Sequence, residues 1–120
     1  MTTDELMFFD RLPQLLPIYE MLKELLTARC PEMTVKVTKT QISFRSRYVF
    51  AMVSLPRRRK MEYLMVSFGL GAQKKSPRIA HSVEAYPGRW THHVLVERAE
   101  ELDAELQSWL DEAYSFSMVK

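Results

Sequence analysis

The chain is poor in cysteine, glycine and long apolar runs. It holds one cysteine and three glycines in 120 residues. Because Cys30 stands alone, no intramolecular disulfide can form, which fits a reducing compartment. No apolar run approaches the roughly 18 residues of a membrane span, and the acidic start does not resemble a secretory signal. These absences predict a cytoplasmic protein without membrane contact, and the length predicts one domain over residues 1–120.

The net charge of +2 conceals an uneven distribution along the chain. Residues 1–35 carry −3 and residues 90–120 carry −5, whereas residues 36–89 hold twelve Lys and Arg against two Glu and carry +10. A basic middle between two acidic ends indicates an anionic partner for the middle segment, but it says little about the fold.

Apolar residues at spacings of three and four predict helices at both ends of the chain. We expect helices near residues 2–12, 15–28 and 100–114. Thr2 stands three residues before Glu5, the spacing of a capping box. Pro13 should separate the first two helices, because proline cannot continue a helical hydrogen-bond ladder.

From Thr34 onward the apolar period changes to two, which predicts strands. If Lys39 and Thr40 form a two-residue turn, Val37 meets Ile42 and Val35 meets Phe44, so the apolar side chains share a face. A bulge or a longer bend there is the alternative. Later strands are expected near residues 48–54, 62–68, 79–85 and 92–97. Strict alternation in the first of these would point Val49, Ala51 and Val53 inward, and Tyr48, Phe50 and Met52 outward.

Helices, then strands, then a helix is the order of an α+β protein. We expect an antiparallel sheet of about five or six strands, with the N-terminal helices and the C-terminal helix packed on one face.

Several segments resemble a bacterial family of unknown function that belongs with YdhG-like and frataxin-like α+β domains. The segments are LPQLLPIYEML, VTKTQISF, FAMVSLPRRRK, SPRI, YPGRWTHHVLV and EELDAELQSWLDEAY. The resemblance spans nearly the whole chain and implies the same α+β fold. It carries no assigned chemistry. Frataxin-like proteins bind iron through an acidic first helix, and this chain has few acids there.

The densest cluster of reactive side chains is YPGRWTHH, residues 86–93. Pro and Gly favour a tight turn, which would present Arg89 at the rim of an anion site. Trp90 either anchors the corner by burial or offers a stacking platform. His92 and His93 face opposite sides of a strand, so the pair cannot grip one metal. We therefore expect no metal site and no cofactor.

Two further groups of residues complete the candidate anion site. Lys39 and Gln41 lie at the bend between the first two strands, where they either hold a phosphate or carboxylate or merely guard a sheet edge. Arg78 can contribute to the same site as Lys39, Gln41 and Arg89 only if the loop that carries Arg78 folds toward the same end of the sheet. The candidate ligand-binding residues are thus Lys39, Gln41, Arg78, Arg89, Trp90, His92 and His93.

The sharpest basic run indicates contact with a phosphate backbone. The candidate nucleic-acid-binding residues are Arg57, Arg58, Arg59, Lys60, Lys74 and Lys75; a solvated turn is the alternative for the run.

These patterns favour a non-catalytic module that binds a phosphate-rich ligand or nucleic acid through its basic sheet and loops. An enzyme would rest on the two histidines alone, which is a weaker basis. The alternative is a homodimer formed through outward Tyr48, Phe50, Met52, Tyr63 and Met65, which together would make an apolar patch on an open sheet.

Overall fold

The computed structural model describes residues 1–58 and 60–119, and it confirms the α+β fold with helices at both ends of the chain. Helices α1 (Thr3–Phe8) and α2 (Leu16–Arg29) precede the strands, and α3 (Ala104–Met118) follows them. The capping box of α1 is present, with Thr2 and Glu5 bonding to each other's backbone amides. A 3-10 turn at Pro13–Leu15 links α1 to α2. No described helix is long and apolar enough to cross a bilayer.

Six antiparallel strands form one sheet in the order β1-β2-β3-β4-β6-β5. The strands are β1 (Thr34–Val37), β2 (Ile42–Arg45), β3 (Val49–Ser54), β4 (Leu64–Leu70), β5 (Ile79–Tyr86) and β6 (Arg89–Val96). The register expected for the first pair is confirmed, since Val35 pairs with Phe44 and Val37 with Ile42. The β4–β5 connection, residues 71–78, must pass β6 because β6 lies between those two strands.

All three helices lie on one face of the sheet, which we call the inner face. Tyr19 of α2 stacks on Phe44 of β2, and Trp109 of α3 lies against Phe68 of β4. Leu106 of α3 is fully buried. The opposite, outer face carries no helix in the described part of the chain. One hydrophobic core therefore fills the space between the inner face and the helices.

Inward-facing and outward-facing side chains do not strictly alternate in β3, so the prediction that Phe50 points outward was wrong. The ladder between β2 and β3 shifts register between Phe44 and Arg45, so that Arg45 pairs with Val49 and Phe44 with Ala51. Phe50 is the extra residue of this bulge. A bulge turns neighbouring side chains toward one side, and Phe50 packs edge-on against Tyr114 of α3 with 4% of its surface exposed. Val49, expected inside, is instead 40% exposed.

The antiparallel order sorts the loops into two opposite ends of the sheet. At one end, which we call the basic end, lie the β1–β2 turn and the β3–β4 connection, residues 55–63. At the other, the hairpin end, lie the β2–β3 turn and the β5–β6 turn at Pro87–Gly88. Strands of this length separate the two ends by about 20 Å.

Candidate functional site

Three basic side chains converge at the basic end of the sheet. Arg11, Lys39 and Arg57 line a groove of about 320 Å³ together with Phe8, Thr40 and Leu55. We call this feature the basic groove. Its cations come from three separate segments: the end of the α1 region, the β1–β2 turn and the β3–β4 connection. The fold therefore assembles a charge cluster that no single stretch of sequence contains.

Local hydrogen bonds fix the position of Lys39. The Thr38 amide donates to the Gln41 carbonyl at 2.9 Å, which closes a two-residue turn at Lys39 and Thr40. The Thr38 hydroxyl donates to the same carbonyl at 3.0 Å. No non-glycine residue of the described chain has a positive φ, so this turn is not of the primed type. Lys39 therefore lies at the tip of a turn that is held by hydrogen bonds.

Arg11 connects the groove to a second hollow beside it. Its guanidinium donates to the Pro56 carbonyl, which ties the α1 region to the β3–β4 connection. Arg11 also lines a hollow of about 380 Å³ with Leu12, Arg58 and Met61. Arg11 thus lines both hollows, which makes them neighbours.

The cations described at the basic end make no ion pair with other described residues. Within residues 1–58 and 60–119, no ion pair involves Arg11, Lys39, Arg57, Arg58 or Lys60. The side chains of Arg57, Arg58 and Lys60 are exposed. Arg59, also a candidate, lies outside the described residues. Gln41 points elsewhere, since its amide nitrogen donates to the Ser43 hydroxyl at 3.3 Å.

Arg78 and Lys74 lie against α3 and are ion-paired there. Arg78 contacts Asp103 at 2.6 Å and Glu105 at 3.2 Å, and Lys74 contacts Glu112 at 2.9 Å. The hydrogen bond from Arg78 lowers the pKa of the Asp103 carboxyl. Both cations also flank the Trp109 ring, at 6.0 and 5.9 Å from its centroid. These two candidates therefore anchor the β4–β5 connection, whereas Lys75 is exposed.

Arg89 and Trp90 lie at the hairpin end, far from Lys39 and Arg57. Gly88 has φ of 75°, which lets Pro87 and Gly88 make the two-residue turn. Arg89 and Trp90 line a separate cavity of about 150 Å³, which Phe50 and Phe116 also line. Arg78 precedes β5, at the opposite end of that strand from Arg89. The candidate ligand residues are therefore spread over several places on the sheet.

His92 faces inward and is completely buried. Its Nε2 accepts a hydrogen bond from the Lys74 amide at 2.8 Å, and its ring stacks on Phe68. Burial lowers the pKa of His92, an effect that the carbonyls of Phe68 and Trp90 partly oppose. Since its ring is sealed beneath the β4–β5 connection, His92 helps hold that connection in place.

His93 faces outward, where it contacts side chains of β4 and β5. Its Nδ1 lies 2.7 Å from the Ser67 hydroxyl. Its partner across β5 is His81, and the two rings stack with centroids 5.9 Å apart. Glu84 of β5 pairs with Trp90, so it lies opposite neither His92 nor His93. Burial, then the neighbouring His81 and His92, lowers the pKa of His93.

Sequence reasoning missed Arg11 and the pairing of His81 with His93. Arg11 was assigned to the body of a helix, but α1 ends at Phe8, so Arg11 follows the helix in a turn. Pro13, two residues later, was the signal that the chain changes direction there. The pairing of β5 with β6 shifts register between Glu84 and Tyr86. No sequence pattern predicted this bulge.

Comparison with family models matches residues 7–117 to a domain of unknown function (DUF5655). Neither the search of curated proteins nor the search of solved structures found a match. The narrower resemblance to YdhG-like and frataxin-like domains stays a prediction. Because the family model covers nearly the whole chain, including the basic groove and the histidine pair, this protein belongs to the DUF5655 family.

Proposed function

We propose that this protein binds a phosphate-rich polyanion, with a nucleic-acid backbone as the preferred ligand, through the basic groove. The observation that carries the proposal is the convergence of Arg11, Lys39 and Arg57 without an ion-pair partner in the described residues. Unpaired cations held close together repel one another, and an anion relieves that repulsion.

The side chains in the groove suit phosphate. A guanidinium presents a planar fork that bonds two oxygens of one phosphate, and Lys39 adds a point charge on a flexible stem. The neighbouring hollow, reached through Arg11, offers Arg58 to the next phosphate along a chain. Phe8 and Leu55 give the groove an apolar wall for a sugar or base edge.

The distribution of charge supports one-sided binding. The α3 carboxylates Glu105, Asp111 and Glu112 pair with Arg78, Arg29 and Lys74, none of which lines the basic groove. The groove therefore keeps unpaired positive charge that attracts a polyanion. Cys30, the single cysteine, is buried as a free thiol, which fits our expectation of a cytoplasmic location.

The test is a titration of a fluorescent single-stranded oligonucleotide at several salt concentrations. We expect the logarithm of affinity to fall linearly with the logarithm of salt, with a slope of about −2 to −3 for three or four phosphate contacts on a single strand. The variant Lys39→Gln/Arg57→Gln/Arg58→Gln should reduce affinity at least about tenfold and flatten the slope.

The matched control is Arg45→Gln/Arg47→Gln/Lys75→Gln, which removes the same charge outside the groove. We expect it to change affinity much less than the groove variant. Equal losses in the two variants would mean that net charge alone attracts the ligand, and an absence of binding by the wild type at low salt would refute the proposal.

The homodimer alternative stays a prediction. The apolar patch available for it on the outer face is smaller than the sequence suggested. Phe50 is unavailable because it packs on α3. Met52, Tyr63 and Met65 are half-buried rather than openly displayed. We therefore favour polyanion binding over association through the outer face.

A further inference from the structure

A row of six side chains crosses the outer face of the sheet, one from each strand. The ladder registers align Lys36, Ser43, Met52, Ser67, His93 and His81 in this order. His93 lies on β6, with Ser67 of β4 on one side and His81 of β5 on the other. Two imidazoles and a hydroxyl from three different strands are therefore immediate neighbours on a rigid surface.

The Ser67 hydroxyl occupies one nitrogen of the His93 ring. The Nδ1–Oγ distance is 2.7 Å, and the Ser67 side chain is almost fully buried. When Nδ1 donates its proton to this oxygen, the lone pair of the neutral ring is at Nε2. Histidine ligands in proteins are usually held this way, by a hydrogen bond from the nitrogen that does not touch the metal.

The second imidazole stands within reach of the first. The His81 and His93 rings are stacked, with centroids 5.9 Å apart and planes 10° apart. A tetrahedral ion with Zn–N bonds of about 2.0–2.1 Å needs two nitrogens about 3.3 Å apart. The two residues are direct cross-strand partners and His81 is exposed, so coordination requires the His81 ring to rotate about its side-chain bonds out of the stacked arrangement.

We propose that His81 and His93 form a two-histidine site for a late first-row divalent cation such as Zn²⁺, with Ser67 as the positioning residue. Imidazole nitrogen is a preferred ligand of Zn²⁺, Ni²⁺ and Cu²⁺. Within residues 1–58 and 60–119, no cluster of three His, Cys, Asp or Glu side chains could hold an ion. Water completes the coordination sphere, so the ion remains open to a further ligand.

The histidine pair lies apart from the lysine of the row and from the basic groove. The cationic Lys36 lies at the far end of the row, four strands away from His93. The site does not depend on the basic groove, which lies at one end of the sheet.

The direct experiment is a Zn²⁺ titration of the wild type in a non-chelating buffer, followed by the ¹⁵N resonances of the imidazoles. The chain has three histidines, and the buried His92 serves as an internal control. We expect Zn²⁺ to shift the Nε2 signals of His81 and His93 and to leave His92 unchanged. Shifts confined to His92, or none at millimolar Zn²⁺, would overturn the proposal.

Substitutions separate ligands from the positioning residue. His81→Gln and His93→Gln should each weaken Zn²⁺ binding at least about tenfold, since one imidazole alone remains. Ser67→Ala should weaken it by about 10- to 100-fold and alter the tautomer signature of His93, while Ser67→Thr should restore both. Ser43→Ala removes a buried hydroxyl from the same row and is the matched control. Equal effects of Ser67→Ala and Ser43→Ala would refute the role of Ser67.

Discussion

The basic residues around α3 and those at the basic end of the sheet have the same charge but different environments. Arg29, Lys74 and Arg78 all pair with carboxylates of α3 or its cap. Lys39 and Arg57 have no such partner in the described part of the chain. The basic residues of positions 36–89 therefore include two different groups: Lys74 and Arg78, which are ion-paired, and the cations of the basic groove, which are available to a ligand.

This difference teaches that local charge density in a sequence does not identify a binding surface. Lys74 and Arg78 looked like part of one basic rim with Arg57. The fold sends the β4–β5 connection across β6 to α3, where acidic side chains neutralise them. The groove cations, which make no ion pair within the described residues, form a smaller cluster, and Arg11 belongs to it even though its own segment is acidic.

The largest expected effect is a loss of stability when the packing of α3, the helix whose carboxylates pair with basic residues, is weakened. Leu106→Ala removes a fully buried side chain between α3 and the sheet. We expect the free energy of unfolding to fall by about 2–5 kcal/mol, as for other buried leucines. Chemical denaturation measures this loss. An unchanged midpoint would mean that α3 is not docked, and the paired cations would then lose their partners.

The ion pair between the buried Glu5 and the half-buried Lys23 predicts a pH dependence of stability. Burial raises the pKa of Glu5, but hydrogen bonds from Lys23, Thr2 and Tyr19 outweigh it and lower the pKa to about 2. Stability from this carboxylate is complete above its ordinary pKa of 4.5 and is lost as pH falls toward 2. The loss should be about 3 kcal/mol.

Denaturation of the wild type and Glu5→Gln between pH 2 and 7 tests this prediction. The variant should be less stable at pH 7 and should show a flatter pH dependence than the wild type. Parallel curves for the two proteins would show that Glu5 does not supply the acid sensitivity.

Single substitutions in the two groups should have opposite consequences. Arg78→Gln breaks partly exposed ion pairs and a hydrogen bond to the Glu101 carbonyl. It should lower the free energy of unfolding by about 1 kcal/mol and leave oligonucleotide affinity within twofold. Arg57→Gln should reverse this pattern, with unchanged stability and weaker binding. Similar behaviour of the two variants would erase the distinction between the groups.

The smallest effect concerns association. If the acidic helices of a second copy covered the basic groove, the unpaired cations would be paired in a dimer. We expect instead a single species near 14.1 kDa in sedimentation at physiological salt. A species of about twice that mass that dissociates as salt rises would favour the homodimer alternative.

The sequence predicted most of the fold because its apolar periods are clear. The change from a period of three and four to a period of two located the helices and strands, and alternation set the register of Val35 with Phe44. Prediction of strand register from alternation failed where the strands carry bulges. One bulge turned Phe50 inward, and another placed His81 opposite His93, because an inserted residue shifts every later partner by one position.

The candidate site was predicted only in part. Antiparallel pairing places the β1–β2 turn and the β3–β4 connection at the same end of the sheet. Lys39, Arg57 and Arg58, which those segments carry, therefore lie at that end. The path of residues 71–78 had no periodic pattern, so the pairing of Lys74 and Arg78 with α3 was not foreseeable. The distance of Arg89 from Lys39 follows from strand order, which composition does not encode.

Backbone amide NMR with an unlabelled oligonucleotide at physiological salt tests the central claim most directly. The account predicts chemical-shift changes at Lys39, Thr40, Leu55 and Arg57, with little change at residues 72–78. Shifts concentrated at residues 86–93 would instead place the ligand at the Arg89 turn, and shifts along residues 72–78 would show that the ion-paired cations bind the ligand; either result would contradict the account.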